Sequence, residues 1–419
     1  MRGWTLLALV VGIRSADAQT LLWLEEPPNA LSSELYAVSA DGTIAVGVVQ
    51  IGARTYAARW TESSGVALLG TLGGQSSYAL AVSADGQIVA GWSYDLSGHR
   101  RAFRWTPVTG MQSMGTLYGH RASEAYAISA DGTLIAGLLT HGNTWEPFCW
   151  YTNGSVWLLN TSPYWDFTPR ALSADGQVVA GFGRDATGRV RALCKTPEGM
   201  WNLGTLGGSE SCAHAISPDG QIVVGSATLP NGRARAFRWR NGVMENLGVP
   251  DGFIESIAYG VSADGNAVVG EAVRMEGNQY ASYAALWTLE EGMGDLNQRF
   301  ASLLSDGSVL LMARAISADG STIVGTGRRP TGKVEGFILR LASECQLEGD
   351  ANRDRVVDDA DLLEVLFNFG QTGFASADLN RDGVVDDADL LIVLFNLSLI
   401  HISEPTRLLS ISYAVFCLK

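Results

Sequence analysis

A four-residue phrase, Ser-Ala-Asp-Gly, recurs seven times and limits what this chain can fold into. Its aspartates are Asp41, Asp85, Asp131, Asp175, Asp219, Asp264 and Asp319, and Pro218 replaces the alanine in the fifth copy. The spacing is about 44 residues until a longer last step, a period that belongs to solenoids, propellers or arrays. One continuous architecture can therefore span residues 20–342, although a chain of 419 residues would otherwise suggest several domains.

One unit, residues 78–119, shows what is repeated. Residues 78–83 form a short strand, and Asp85-Gly86 a hairpin turn, since both residues tolerate positive φ. Residues 87–93, 101–106 and 111–117 supply three more strands. Four antiparallel strands per unit make one propeller blade. The position four before each Asp is small (Ala37, Ala81, Ala127, Ala171, Ala215, Gly260, Ala315), as expected where inner strands converge on an axis. Six residues after each Asp stands a glycine, from Gly47 to Gly325, which marks a bulge or a close backbone approach. Aromatic residues recur on the third strand, as in Phe103, Trp105, Phe148, Trp150, Phe237 and Trp239, and are expected to fill the space between blades. The last unit ends after its third strand, residues 336–341. The missing strand is available in residues 21–24. Pairing the two ends closes a seven-bladed ring and removes its edges; an open β-solenoid is the alternative.

The phrases Ala102-Phe103-Arg104-Trp105-Thr106, Gly115-Thr116-Leu117 and Leu203-Gly204-Thr205-Leu206-Gly207-Gly208, with the repeated Ala-x-Ser-Ala-Asp-Gly, resemble the extracellular HAF-repeat family. The resemblance spans about 320 residues of a repeat array. It implies an exported bacterial protein with a β-propeller-like fold and no defined activity. Seven aspartates in seven equivalent turns read as turn formers, not as seven active sites. The phrase also differs from the sialidase Asp-box, which carries Thr-Trp after its glycine.

Charge and the N-terminus restrict the function further. Residues 344–397 hold 13 acids and 3 bases, most of the net charge of −14. The repeats are nearly neutral and lack the basic stripe of a nucleic-acid binder. Arg2, the apolar residues 4–13 and Ala16-Asp17-Ala18 read as a signal peptide, residues 1–18, with cleavage before Gln19. That apolar run is too short to span a bilayer, so no membrane span is expected and the protein should be secreted or held at the cell surface. Five cysteines without metal-ligand spacing read as buried or free thiols.

A meander puts the Asp-Gly turns at one end of the blades and the variable connections at the other. Ligand-binding candidates at that second end are Trp145, Trp165, His120, His214 and Arg233, whose chemistry suits sugars, acidic glycans or peptides. Glu124, Glu146, Asp166, Asp185, Glu210 and Glu255 share that end, but the sequence does not pair two of them across a cleft as glycoside hydrolysis needs. No catalytic residue is assigned.

After a linker at residues 343–348 comes a sharper signal. Asp350, Asn352, Asp354, Asp358 and Asp361 stand at positions 1, 3, 5, 9 and 12 of a loop, with the Val356 carbonyl at position 7; Asp378, Asn380, Asp382, Val384, Asp386 and Asp389 repeat the pattern. This is the order of hard oxygen ligands that EF-hand loops present to Ca²⁺. Leu362, Leu363, Leu366 and Phe367 follow the first loop and Leu390, Leu391, Leu394 and Phe395 the second, each set expected to form one helical face. Two loop-then-helix units without an entering helix resemble a dockerin module, residues 349–397. The resemblance implies two Ca²⁺ ions, a cohesin-type partner, and partner recognition by Asp359, Ala360, Asp387 and Ala388. Position 6 is Gly383 in the second loop but Arg355 in the first, which points to unequal sites. Residues 398–419 match neither pattern and resemble translated adapter read-through, a non-native tail.

The expected protein is mainly β, a seven-bladed β-propeller with a small α-helical dockerin module. Its expected role is that of a secreted, non-catalytic binding or scaffold protein, tethered through calcium. The alternatives are a lectin and a carbohydrate-active enzyme (glycoside hydrolase or polysaccharide lyase) in an extracellular polysaccharide-degrading complex.

Overall fold

The computed structural model describes residues 19–117, 119–142, 144–341, 351, 359–370, 377, 379, 385 and 387–400. The expected signal peptide and linker, the expected tail beyond residue 400, and all the expected calcium ligands but Asp361 and Asp389 lie outside these residues; residues 398–400 continue the last helix. The chain forms two compact units, one of residues 19–341 and the other holding the C-terminal helices.

The first unit is a seven-bladed β-propeller. Its strands form seven antiparallel sheets of four. Blades 1 to 6 occupy residues 30–68, 73–113, 122–158, 165–202, 211–246 and 255–295, each in simple meander order from an inner to an outer strand. Blade 7 takes three strands from residues 309–340. Its outer strand is Thr20–Trp23, which pairs antiparallel with Val334–Arg340 from Thr20 opposite Arg340 to Trp23 opposite Phe337. The Leu24 N–H extends the pairing to the Gly336 carbonyl at 3.0 Å. The expected closure thus forms, and the open solenoid does not.

The core lies between blades. Val46 and Ala57 of blade 1 pack with Ala79, Val89 and Phe103 of blade 2, and the same layer recurs around the ring. Phe103, Phe237 and Phe337 are fully buried; each such burial stabilises the fold by roughly 1.5–3 kcal/mol. The longer last repeat contains a short helix, Leu296–Arg299, and a 3-10 turn, Ala301–Leu304. They seal the joint of blades 6 and 7 with Leu296 and Phe300.

The repeated turn forms where expected. Only its glycine takes positive φ, as Gly42 does at 72°; none of the seven aspartates does. Gly42 N–H closes the turn on Ser39 C=O at 3.1 Å. The Ser39 hydroxyl donates to Asp41 Oδ1 at 2.5 Å and accepts from Ile44 N–H at 3.0 Å. Hydrogen bonds from Ser129 and Ser173 are the first cause that holds the Asp131 and Asp175 carboxyls below their usual range. The aspartate is therefore a local acceptor, which agrees with its structural role.

These turns also join the blades. Ala40 N–H donates to Ala84 C=O at 3.0 Å, Ala84 to Ala130 at 2.9 Å, Ala130 to Ala174 at 3.1 Å, and Ala174 to Pro218 at 2.7 Å; the run resumes with Ala263 to Ala318 at 2.8 Å and Ala318 to Ala40 at 3.0 Å. Pro218 has no N–H and leaves one gap, between blades 5 and 6.

A second set of ties uses buried serines eight residues before the aspartates. Ser77 accepts the Ala57 N–H of the preceding blade at 2.8 Å and donates to Gly70 C=O at 2.6 Å. Ser33, Ser123, Ser211 and Ser256 accept likewise from Gly336, Ala102, Ala192 and Ala236. Between blades 3 and 4 the donor position is Pro147, with no N–H, and the acceptor position is Phe167, buried and apolar. Both halves of the tie are replaced together, so no buried group is orphaned there.

In the second unit, helices Asp359–Phe367 and Asp387–Ile400 pack around Ala351, Val365, Ala377, Val385 and Val393, all fully buried. The face turned inward keeps only part of the expected one, Leu362 and Leu390. Asp361 and Asp389 are fully buried, whereas Leu363, Leu366, Phe367 and Leu391 are exposed. Leu379 N–H donates to Asp389 Oδ1 at 2.7 Å. Among the described residues no helix is long and apolar enough to cross a membrane.

Candidate functional site

The best-defined site follows from the repeated glycine of the second strand. A Cβ on Gly47 would sit 1.9 Å from Glu34 O, and one on Gly225 equally close to Cys212 O. Only glycine lets the inner strand press this close, and opposite it the inner strand bulges. The register shifts fall between Leu35 and Ala37, Ala125 and Ala127, Pro169 and Ala171, Ala213 and Ala215, Ala258 and Gly260, and Ala313 and Ala315. A bulge re-aims the extra side chain. Here those residues are Tyr36, Tyr126, Arg170, His214, Tyr259 and Arg314, with Leu80 in blade 2.

These side chains meet from blade to neighbouring blade along the channel. The Arg314 guanidinium lies 5.8 Å from the ring centre of Tyr36 in blade 1 and 5.1 Å from that of Tyr259 in blade 6. Arg170 lies 5.3 Å from Tyr126 and 5.4 Å from Phe182. The His214 and Tyr259 rings are 5.5 Å apart. Desolvation, followed by the charges of Arg170 and Arg314, lowers His214 to a pKa of about 4, so the imidazole is neutral at pH 7. The charges of Arg170 in blade 4 and Arg314 in blade 7 both reach this histidine in blade 5.

The channel carboxylates are engaged by phenols. Tyr36 donates to Glu34 at 3.1 Å, Tyr259 to Glu271 at 2.8 Å, and Tyr126 to Glu124. Burial first, then these carboxylates, pushes all three phenols above their usual range. Glu124 also receives Arg100 at 2.5 Å, and Arg100 lies 4.9 Å from the ring centre of Trp92, which stacks on Tyr78. Neither Arg170 nor Arg314 has an ion pair among the described residues, and Arg314 Nε is buried without a hydrogen-bond partner.

The expected ligand-binding residues do not form one cluster. His214 lies inside the channel on the inner strand Ser211–Ile216, not among the variable connections. His120 is buried beside Glu146, Nε2 to Oε2 3.1 Å, and edge-on to His141. Trp145 and Trp165 are 39 % and 48 % exposed, and Trp165 Nε1 donates to Asp185 C=O at 3.1 Å. Arg233 is exposed in a connection of blade 5. The small position four before each Asp serves the joint between inner strands: a Cβ on Gly260 would lie 3.1 Å from Ala315 Cα. The bulged neighbour, one residue earlier, is the one that meets the axis. Its identities vary too widely to mark it by type; its fixed place opposite the glycine was the usable signal.

Cys149 and Cys194 are buried and Cys212 is half-buried, all as free thiols pushed up by desolvation, to about 12, 12 and 11. Of the expected partner-recognition residues, Asp359 and Asp387 open the two helices; Ala360 and Asp387 are exposed, and Ala388 follows in the second helix. Among the described residues no group of three or more His, Cys, Asp or Glu could hold a metal ion.

The channel and the ring around it define a closed seven-bladed propeller with a polar, aromatic axis. No protein-family model and no curated protein matches the chain. Among solved structures it is similar to oligogalacturonate lyase from Vibrio parahaemolyticus, with 9 % identity, TM-score 0.54, and coverage of 77 % of this chain and 94 % of that one. It is similar also to an oligogalacturonate lyase in complex with manganese, with 11 % identity, TM-score 0.51, and coverage of 78 % and 96 %. At these identities the likeness is one of fold alone. A TolB structure from Acinetobacter baumannii has 12 % identity and TM-score 0.42, over 75 % of this chain and 65 % of that one.

Proposed function

We propose that this is a secreted, non-catalytic binding protein whose propeller is an interaction platform and whose C-terminal module is a calcium-dependent tether to a cohesin-type partner. The observation that carries the reading is the inverted burial of the C-terminal helix pair. Asp361 and Asp389 are fully buried, while Leu363, Leu366 and Phe367 face solvent, Phe367 at 81 % exposure. Burying an ionised carboxylate is costly unless it is compensated; the Leu379 N–H contributes at Asp389, and a Ca²⁺ ion shared with the loop oxygens of Asp350, Asn352, Asp354, Asp358 and their second-loop counterparts would supply the positive charge that such a set of acceptors needs. Asp361 and Asp389 would complete the two ligand sets from the first turns of the helices. A contiguous apolar surface marks a protein-binding face, here flanked by Ala360. Secretion is supported by the leader pattern of residues 1–18, and the platform role by the rigidity of a closed ring.

Calcium titration of the full chain by calorimetry tests the tether. Two binding events are expected, with Asp361→Asn and Asp389→Asn each removing one. Capture by an immobilised cohesin-type module should require calcium and be lost in Phe367→Ser. Absence of calcium binding at millimolar concentration, or capture unaffected by chelator, would refute it.

A further inference from the structure

We propose that the central channel of the propeller binds a sugar acid, with its carboxylate held between Arg170 and Arg314. This gives the platform's ligand a chemistry; it rests on the platform reading and not on the tether. Both guanidiniums come from bulged inner-strand positions that face the channel, Arg314 5.1 Å from the Tyr259 ring that His214 also meets and Arg170 5.3 Å from the Tyr126 ring, and neither has a carboxylate partner among the described residues. A buried guanidinium nitrogen without an acceptor is costly, and Arg314 Nε is in that state. Arg170 is exposed, so the cluster is open to solvent. Arginine forks match carboxylates in a planar, bidentate geometry.

The rest of the channel narrows the ligand class. His214, neutral at pH 7, can accept or donate a hydrogen bond without adding charge. Glu271 is engaged by a tyrosine yet keeps free lone pairs for a ligand hydroxyl. Glu34 and Glu124 would repel a multiply charged anion such as phosphate but tolerate a single negative charge. The faces of Tyr126 and Tyr259 suit the apolar side of a sugar ring. One carboxylate on a hydroxyl-rich ring satisfies all of these groups at once.

The test is calorimetry of the full chain with glucuronate and with glucose, which differ at the carboxylate, run with and without chelator. Glucuronate should bind saturably in both conditions and glucose should not. Arg170→Gln and Arg314→Gln should each weaken glucuronate by about tenfold or more, the worth of a charge-assisted hydrogen bond, with melting temperatures showing that the variants are folded. Absence of saturable glucuronate binding, equal binding of glucose, or wild-type affinity in both folded variants would overturn the proposal. Because chelator disables only the tether, loss of calcium binding with retained glucuronate binding separates the two readings.

Discussion

His214 shows how one residue's surroundings decide its chemistry. Its imidazole sits among Arg170, Arg314 and the Tyr259 ring, with Cys212 two residues away and Glu271 bonded to that tyrosine. Its pKa is lowered to about 4 from 6.5. Below about 6.5 the unfolded chain takes up a proton that the folded protein refuses, so stability is lost as pH falls from about 6.5 toward 4. The melting temperature of the wild type should fall more steeply over that window than that of His214→Gln; parallel curves would show that the group does not titrate differently on folding. In the sequence this histidine was legible as unusual but not as axial, because a bulge adds one residue to the count and turns the alternation of faces over. The aspartates went the other way. Their turn role was legible, but their φ was not, because an Asp-Gly pair fits several turn types and the serine hydroxyl selects among them.

At the scale of elements, the blades are held by side-chain-to-backbone ties as well as by apolar packing. Ser211 accepts from Ala192 N–H at 2.9 Å and donates to Gly204 C=O at 2.6 Å. Ser211→Ala leaves both buried backbone groups unsatisfied and should cost about 1–3 kcal/mol in urea unfolding. A loss below about 0.5 kcal/mol, the lower end of a hydrogen bond's net worth, would mean that water replaces the hydroxyl. The strand count per blade was readable from alternation and turns. The ties were not: the serines recur eight residues before the aspartates, but the backbone group each accepts lies in the neighbouring blade. The joint change at Pro147 and Phe167 likewise needs the pairing to be read. In the C-terminal helices the leucines gave the period of a helix but only part of the buried face, Leu362 and Leu390. The carboxylates at Asp361 and Asp389 occupy that face, and hydropathy assigns them to solvent.

For the whole molecule, closure is the decisive contact. The strand Thr20–Trp23 is only four residues long, yet it covers an edge that would otherwise present unpaired backbone groups, and Arg329 packs 4.8 Å from the Trp23 ring centre. A chain starting at residue 25 should melt well below the full ring and self-associate through blade 7, measured by calorimetry and light scattering. An unchanged melting point in a monomeric truncation would show that the ring does not depend on this clasp.

The repeat, by itself, determined the number of blades and the four-stranded meander, because each depends on local turn chemistry and on short-range alternation; the clasp between the chain ends followed from the strand that the last unit lacks. The ligand-binding candidates on the variable connections share only their residue types, and they scatter. Tertiary structure decided which side chains converge, because seven inner strands bring together residues that are about 44 positions apart in the chain. No local pattern records a distance of that kind. The charges of Arg170 and Arg314 reach one histidine only once the ring has closed.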